Sequence, residues 1–363
     1  MTLKVAIVGC GKIADGHIEE IQKMPELGHV VAVCDLEPIM AEQIAFRYAV
    51  PSHYGKFENL LQRERPDVVH ITTPPAAHLP LTRQALDAGC HVYVEKPLTP
   101  THAQAVELVR LVEQAGKKLT IGYTYLFDPP AIAMRELVAQ GVLGDPVHVE
   151  SFYGYNLAGP FGAALLGDGT HWVHRLPGKL FQNNFDHALN KLVEFIDDES
   201  PAISAFATTR RVQRFGDDRD AMQDELRVLI RGSATTAYGT FSSHVRPALH
   251  LARVYGTRNT LLVDYLMRTV TVESSGTLPS SLGRLVPAFE MAGRFAKEGA
   301  RNVLRFAKSD FHFFAGLSKL IELYYRSILD DRPPPIPHRD ILRISAWSEE
   351  IYRQIAASRE VVR

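Results

Sequence analysis

Short apolar runs alternate with helix-length stretches over the first third of the chain. Residues 4–9, 30–34, 68–71, 92–94 and 119–121 are mostly β-branched and continuous rather than alternating, which predicts strands buried on both faces. Residues 13–24, 39–48, 79–88 and 102–115 lie between them and carry helical patterns. Strand and helix in repeated alternation predicts a parallel sheet joined by right-handed crossovers. The pattern changes at Asp128-Pro129-Pro130. A helix over 131–140, closed by Gly141 and Gly144, precedes strand-like runs at 147–155, 203–214, 223–231, 235–243, 251–255, 260–265 and 268–273. Turn pairs such as Gly232-Ser233 and Gly256-Thr257 then predict an antiparallel sheet, interrupted by one helix over 183–196. The tail is helical, with a break at Pro333-Pro334-Pro335. The expectation is an α/β domain over 1–125 and an α+β domain with a large open antiparallel sheet over 126–363.

Composition narrows the function classes. The chain has 363 residues, with 40 Lys and Arg against 41 Asp and Glu, a formal net charge of -1. That balance gives no global reason to bind nucleic acid or an anionic membrane. Cys10, Cys34 and Cys90 are too few and too scattered for a disulfide framework or a structural zinc site. The N-terminal run is a poor signal peptide, and no apolar run is long enough to span a bilayer. A cytoplasmic protein without integral membrane association is expected. One stretch departs from the average. Residues 284–308 carry six Lys/Arg against two Glu in an amphipathic pattern. This predicts a packed surface helix, with a partner- or membrane-facing helix as the minority reading.

The glycines give the first chemistry. Gly9-Cys10-Gly11-Lys12-Ile13-Ala14 fits G-x-G-x-x-G/A between a strand and a helix, the context that gives this pattern meaning. Gly9 permits a tight turn, Gly11 lets a pyrophosphate approach the backbone, and Ala14 allows close helix–strand packing. Lys12 and Ile13 open the helix whose free N–H groups would meet the phosphates. The next strand ends in Asp35, placed to accept hydrogen bonds from the adenosine ribose. No Arg or Lys follows it directly (Leu36-Glu37-Pro38), which favours NAD over NADP. The first domain therefore reads as a Rossmann dinucleotide-binding domain.

Two further segments are more specific. The third strand leads into Thr72-Thr73-Pro74-Pro75-Ala76-Ala77-His78, and the fourth into Glu95-Lys96-Pro97. With the glycine motif, Gly122-Tyr123, Leu143-Gly144-Asp145-Pro146 and Tyr255-Gly256-Thr257, the chain resembles the Gfo/Idh/MocA oxidoreductases along nearly its whole length, most loosely over 275–315. The resemblance implies a two-domain NAD(P)-dependent oxidoreductase acting on sugars, cyclitols or sugar nucleotides. It implies cofactor contacts from Thr73, Pro74, His78, Glu95 and Lys96, a cis Lys96–Pro97 bond, and Lys96 as a catalytic residue. An ammonium near a carbinol oxygen stabilises alkoxide character as hydride leaves, while a neutral base takes the proton. The family base is a histidine in a D-x-x-x-H pattern, which matches His187, but Asn183 stands where the aspartate would be. On one helix, Asn183, His187 and Asn190 would share a face, with Asp186 about 100° away. An amide can orient the ring or bind a hydroxyl. It cannot stabilise an imidazolium as a carboxylate would.

Residues 154–178 are rich in glycine, aromatic and basic residues and are expected to face the substrate. Trp172 suits stacking on a sugar ring or anchoring the loop; His174, Arg175 and Lys179 suit hydroxyls, a carboxylate or a phosphate. Tyr125, Tyr153 and Tyr155 are further cleft candidates, Tyr125 and Asn183 being assigned to the substrate. The His171/His174 spacing lacks a third ligand, so no metal is assigned. Three functions compete: NAD-dependent hydride transfer, redox-neutral chemistry on retained NAD (elimination or glycoside cleavage), and a non-catalytic nucleotide-binding regulator. The resemblance also implies a homodimer or homotetramer formed through the C-terminal sheet.

Overall fold

Val5, Ala6 and Ile7 are fully buried, and the strand holding them, β1 (Leu3–Val8), has neighbours on both sides. It pairs with β2 (Gly28–Cys34) and β4 (Val68–Ile71) in a six-stranded sheet completed by β3 (Ser52–Tyr54), β5 (His91–Val94) and β6 (Leu119–Ile121). The order is β3-β2-β1-β4-β5-β6 and every pairing is parallel. Continuous apolar strands are what a sheet covered on both faces requires. The crossovers are α1 (Lys12–Gln22), α2 (Pro38–Tyr48), α3 (Phe57–Glu64), α4 (His78–Asp87) and α5 (His102–Gln114). Strand order reverses between β1 and β4, so the loops leaving their carboxyl ends flank a switch point, where ligands of such sheets bind.

This computed structural model describes residues 2–157, 168–210, 222–274, 282–307 and 311–361, together with Gly162 and Leu165. The chain forms two compact units, Met1–Thr124 with Gly316–Ala346, and Tyr125–Ala315 with Trp347–Arg363. Residues 316–346 thus cluster with the first unit, not with the 126–363 segment to which the sequence pattern assigns them. Buried tyrosines explain the return. Tyr324 donates its hydroxyl to the carbonyls of Val92 and Lys118, each at 2.8 Å, and Tyr325 packs against Gly28.

The second unit carries β7 (Pro146–Asn156), β8 (Ala202–Thr208), β9 (Glu225–Arg231), β10 (Thr236–Ser242), β11 (His244–Gly256), β12 (Asn259–Asp264) and β13 (Thr269–Ser274), in the order β13-β12-β11-β7-β10-β9-β8. The sheet is mixed rather than wholly antiparallel, because β10 runs parallel to β7. The cause is topological. After β7 the chain makes a long connection and returns as β8 at the far edge. The meander β8-β9-β10 then brings β10 beside β7 in the same direction. Leu226, Val228 and Ile230 face inward from β9, whereas Leu229, with Phe206 and Tyr238 on its neighbours, stays exposed.

Among the described residues this unit carries the helices α6 (Pro129–Ala139), α7 (Lys179–Asn184), α8 (Asp186–Val193) and α9 (Leu282–Ala307), with the part of the helix His338–Val361 that begins at Trp347. The helix expected over 183–196 is assigned as two helices that meet at Phe185, which is itself in helical conformation (φ -72°, ψ -19°), so Asn183 ends the first and His187 begins the second. Residues 211–214 of the expected strand, residues 158–161, 163, 164, 166 and 167 of the expected substrate loop, and Lys308 of the basic segment lie outside the described residues.

Candidate active site

The first unit gathers its candidates at the carboxyl ends of β1, β2, β4 and β5. Gly9 has φ +99°, and a Cβ there would lie 2.8 Å from the Thr72 and Thr73 backbones, so only glycine fits the turn. Gly11 caps α1, and a Cβ there would meet nothing within 4 Å, which leaves the first-turn N–H groups beside Lys12, Ile13 and buried Ala14 approachable. Asp35 Oδ2 accepts the Cys10 N–H at 2.7 Å and Oδ1 accepts the Glu37 N–H at 2.9 Å, which fixes the carboxylate at the end of β2. Thr73 Oγ1 is buried without a hydrogen-bond partner in a loop that also presents exposed Pro74. A buried orphan hydroxyl beside an open helix N-terminus suits a dinucleotide. His78 stands apart from that surface. It is fully buried, and its Nδ1 and Nε2 lie 2.9 and 2.8 Å from the carbonyls of Leu98 and Thr73, tying two loops together. Burial holds its pKa down.

Behind Lys96 lies a buried polar chain that sequence reasoning missed. Glu95 Oε2 accepts the Lys96 backbone N–H at 3.2 Å, and the Lys96–Pro97 peptide is cis. Glu95 Oε1 lies 3.1 Å from His17 Nε2, His17 Nδ1 lies 2.8 Å from His70 Nδ1, and His70 Nε2 lies 2.9 Å from the Tyr325 hydroxyl. As a carboxylate, Glu95 can only accept, so His17 carries its proton on Nε2. His17 Nδ1 then accepts from His70 Nδ1–H, and His70 Nε2 accepts from Tyr325. For His70, burial and then the neighbouring His17 ring push the pKa well below its ordinary value. Gly122 completes the setting, because a Cβ there would lie 2.4 Å from Glu95 Oε1.

The second unit builds a ring cluster around His187. The His187 ring stands edge-on to Tyr125 at 4.9 Å and to Tyr153 at 5.1 Å between centroids. His250 of β11 closes the cluster, 4.2 Å from Tyr125, 4.8 Å from Tyr153 and stacked 4.6 Å from Tyr265. Lys191, one turn beyond His187, is buried. Its Nζ donates to the His187 carbonyl and lies 4.6 Å from the Tyr265 ring centre. Both side-chain polar atoms of Asn190 are buried without a hydrogen-bond partner. Burial pushes the Tyr125 phenol up to about 12, so it stays protonated at neutral pH. It pushes His250 well below its ordinary value, helped by Lys191 and His187.

Burial also pushes Lys191 down to about 7 from 10.5, against the opposing pull of Asp128 and Glu194. The sign of the linkage follows. Below pH 7 folded and unfolded chains are both protonated here, and the whole cost of the buried charge is present. Between 7 and 10.5 the folded chain binds fewer protons, so stability rises with pH by up to about 1.4 kcal/mol per unit. Lys191→Met removes that slope. In urea denaturation at about pH 6, 8 and 10 the Met chain should gain most over the parent at the lowest pH and least at the highest. A difference independent of pH would contradict the assignment.

The other expected substrate residues lie elsewhere. Trp172 and His174 belong to a single turn, Trp172–Arg175, where the Trp172 ring lies tilted against His171 at 5.4 Å between centroids and His174 Nε2 lies 2.9 Å from the Leu165 carbonyl. Lys179 opens α7 and lines a small cavity with Gln223 and Tyr352, none of them in the ring cluster. Asn183 is buried on α7, and Tyr155 donates to Asn184 at 3.0 Å. Of the expected cleft residues, Tyr125 and Tyr153 stand edge-on to the His187 ring. No group of three or more metal-binding side chains occurs among the described residues.

Comparisons with known proteins bear on these sites. Residues 3–123 match the model of the Gfo/Idh/MocA family, described as an oxidoreductase family with an NAD-binding Rossmann fold. D-glucoside 3-dehydrogenase of Escherichia coli is 36% identical over 144 residues, 39% of this chain and 41% of that protein. Inositol 2-dehydrogenase of Salmonella typhimurium is 30% identical over 151 residues, 41% of this chain and 45% of that protein. The chain therefore spans less than half the length of these curated relatives. The crystal structure of the WlbA dehydrogenase from Bordetella pertussis, in complex with NADH and UDP-GlcNAcA, superposes with a TM-score of 0.76 at 16% identity, covering 98% of this chain and 96% of that one. At that identity the likeness shows the fold.

Proposed function

Residues 3–123 belong to the Gfo/Idh/MocA oxidoreductases, and from that premise we propose that the chain is an NAD-dependent, cytoplasmic oxidoreductase that moves hydride between a sugar, sugar-nucleotide or cyclitol hydroxyl and the nicotinamide. The observation that carries this reading is the switch-point cluster: the open approach at Gly11, the buried Thr73 hydroxyl, the fixed Asp35 carboxylate and Lys96 at the end of β5. NAD, when bound, supplies the hydride acceptor. Gly9, Gly11 and the first turn of α1 would hold its pyrophosphate, and Asp35 its adenosine ribose. A carboxylate at that place repels a 2′-phosphate, hence the preference for NAD over NADP.

The chain's own residues do the rest. The Lys96 ammonium stabilises negative charge on the carbinol oxygen, and the Glu95 contact to its backbone N–H holds the residue in place. His187 accepts the hydroxyl proton, within rings that keep its imidazole among neutral neighbours near pH 8. The named substrates of the two dehydrogenase relatives, a D-glucoside and inositol, support a polyol or sugar. The exposed Phe206, Leu229 and Tyr238 of the sheet support assembly into a homodimer or homotetramer through that face.

The test is a panel of free sugars, glycosides, cyclitols and sugar nucleotides, each offered with NAD and with NADP and followed by nicotinamide absorbance. At least one polyol should reduce NAD, with NADP at least ~10-fold poorer. Product formation without net NADH would favour redox-neutral use of retained NAD. Cofactor binding without turnover of any member would overturn the catalytic reading.

A further inference from the structure

The helix α9 is amphipathic, but it is docked the wrong way round for a core-packing helix. Arg294, Glu298 and Asn302, spaced four apart, share one face and point at the body of the unit. Arg294 donates to Ser274 Oγ at 3.2 Å, Asn302 Nδ2 donates to the Met267 carbonyl at 2.7 Å, and Glu298 is only 7% exposed. The opposite stripe, Leu285, Phe289, Ala292, Ala296, Val303 and Ala307, follows the 3–4 spacing of an apolar helix face and is exposed throughout. Leu285, Phe289 and Val303 are 58%, 71% and 67% exposed. Leu304 and Phe306 widen the surface. A surface helix ordinarily turns such a stripe inward, and an apolar patch of this extent marks an interaction site.

Charge selects the occupant. Within Leu282–Ala307 there are five basic residues against Glu290 and Glu298. Both carboxylates are taken, Glu290 by Arg294 at 3.7 Å and Glu298 by Arg301. Arg284, Lys297 and Arg305 have no carboxylate partner among the described residues. A second copy of this helix laid face to face would set like charges together. A surface that is both apolar and anionic complements it. No helix among the described residues is long and apolar enough to cross a membrane, so the fit is to lying on one.

We propose that α9 is an interfacial anchor that lays its exposed apolar stripe on an anionic lipid surface, with the exposed Arg284 and Lys297 at the two flanks of that stripe engaging the headgroups. The helix is about 39 Å long at 1.5 Å per residue, enough to bear the second unit on its polar side. This anchor is independent of the proposed chemistry.

The test uses the full chain and sedimentation with vesicles of phosphatidylcholine alone, and of phosphatidylcholine with about one-third phosphatidylglycerol. Partition should be at least ~10-fold greater on the anionic vesicles at low salt and should fall as salt rises. The double variant Phe289→Glu/Val303→Glu should lose that binding, and Arg284→Glu/Lys297→Glu should weaken it on anionic vesicles. Thermal melting and NAD titration of the variants check that they fold, and the salt and lipid series on the parent chain stands without them. Equal partition on both vesicle types, or none, overturns the proposal. So does sedimentation velocity in the absence of lipid showing self-association that Phe289→Glu/Val303→Glu abolishes, because the stripe is then covered by a second copy.

Discussion

Lys96→Met is expected to lower kcat/KM for the best polyol of the panel by on the order of 10³-fold, with the NAD dissociation constant changed by less than about threefold. Methionine keeps the stem and removes only the ammonium. The contact that holds the position is made by the backbone N–H to Glu95 Oε2 and survives the change. Glu95 is itself held by His17 and backed by His70 and Tyr325, so the loop should keep its course. What is lost is the positive charge beside the carbinol oxygen, where alkoxide character develops as hydride departs. Removing one such donor from a water-excluded site costs ~3–4 kcal/mol in the barrier. The measurement is steady-state turnover beside a fluorescence titration with NAD. Turnover retained within about tenfold of the parent would remove Lys96 from the chemistry.

The parts that were legible in the sequence are those governed by local rules. The other five strands of the first sheet, β3 apart, read directly, because burial on both faces leaves continuous apolar runs, even over the three residues of β6. β3 did not: Ser52–Tyr54 is three residues, partly exposed, with no apolar run to see. The glycine turn and Asp35 were legible because each follows a strand end, where an open parallel sheet puts its ligands, whereas Lys96 was singled out by the resemblance that Glu95-Lys96-Pro97 carries. His17, His70 and Tyr325 were not. They come from α1, β4 and the helix Ala315–Leu329, and only the folded chain strings them together. The return of residues 316–346 to the first unit depends on such non-local contacts too, as does the parallel pairing of β10 with β7. Around His187 the signals divide the same way. Lys191 stands one helical turn away and could have been found by spacing. His250 and Tyr265 lie at the far side of the sheet's connectivity and could not. The period of α9 was legible as well, but a period does not say which face is turned inward.

His187→Gln is expected to lower kcat by ~10²–10⁴-fold at neutral pH and to remove one ionisation from the acid limb of the kcat/KM profile. Glutamine fills much of the ring's space between Tyr125 and Tyr153 and still hydrogen-bonds, but it cannot take a proton at any working pH. Asn183 supplies no negative charge, so the cation formed on His187 depends on the rest of its surroundings. Those include Lys191, whose Nζ sits beside the His187 carbonyl and titrates near 7. Below that pH the ammonium opposes a second positive charge nearby; above it the opposition is gone. The parent chain should therefore show a steep acid limb with two coupled ionisations, and Lys191→Met should leave the one belonging to His187. In His187→Gln the remaining limb should be shallow. In His187→Ala, which vacates the ring's space, added imidazole should restore part of the turnover if the missing function is proton acceptance. It should restore none if the ring only packs or binds a hydroxyl. A Gln chain with parental kcat and an unchanged acid limb would take His187 out of the reaction.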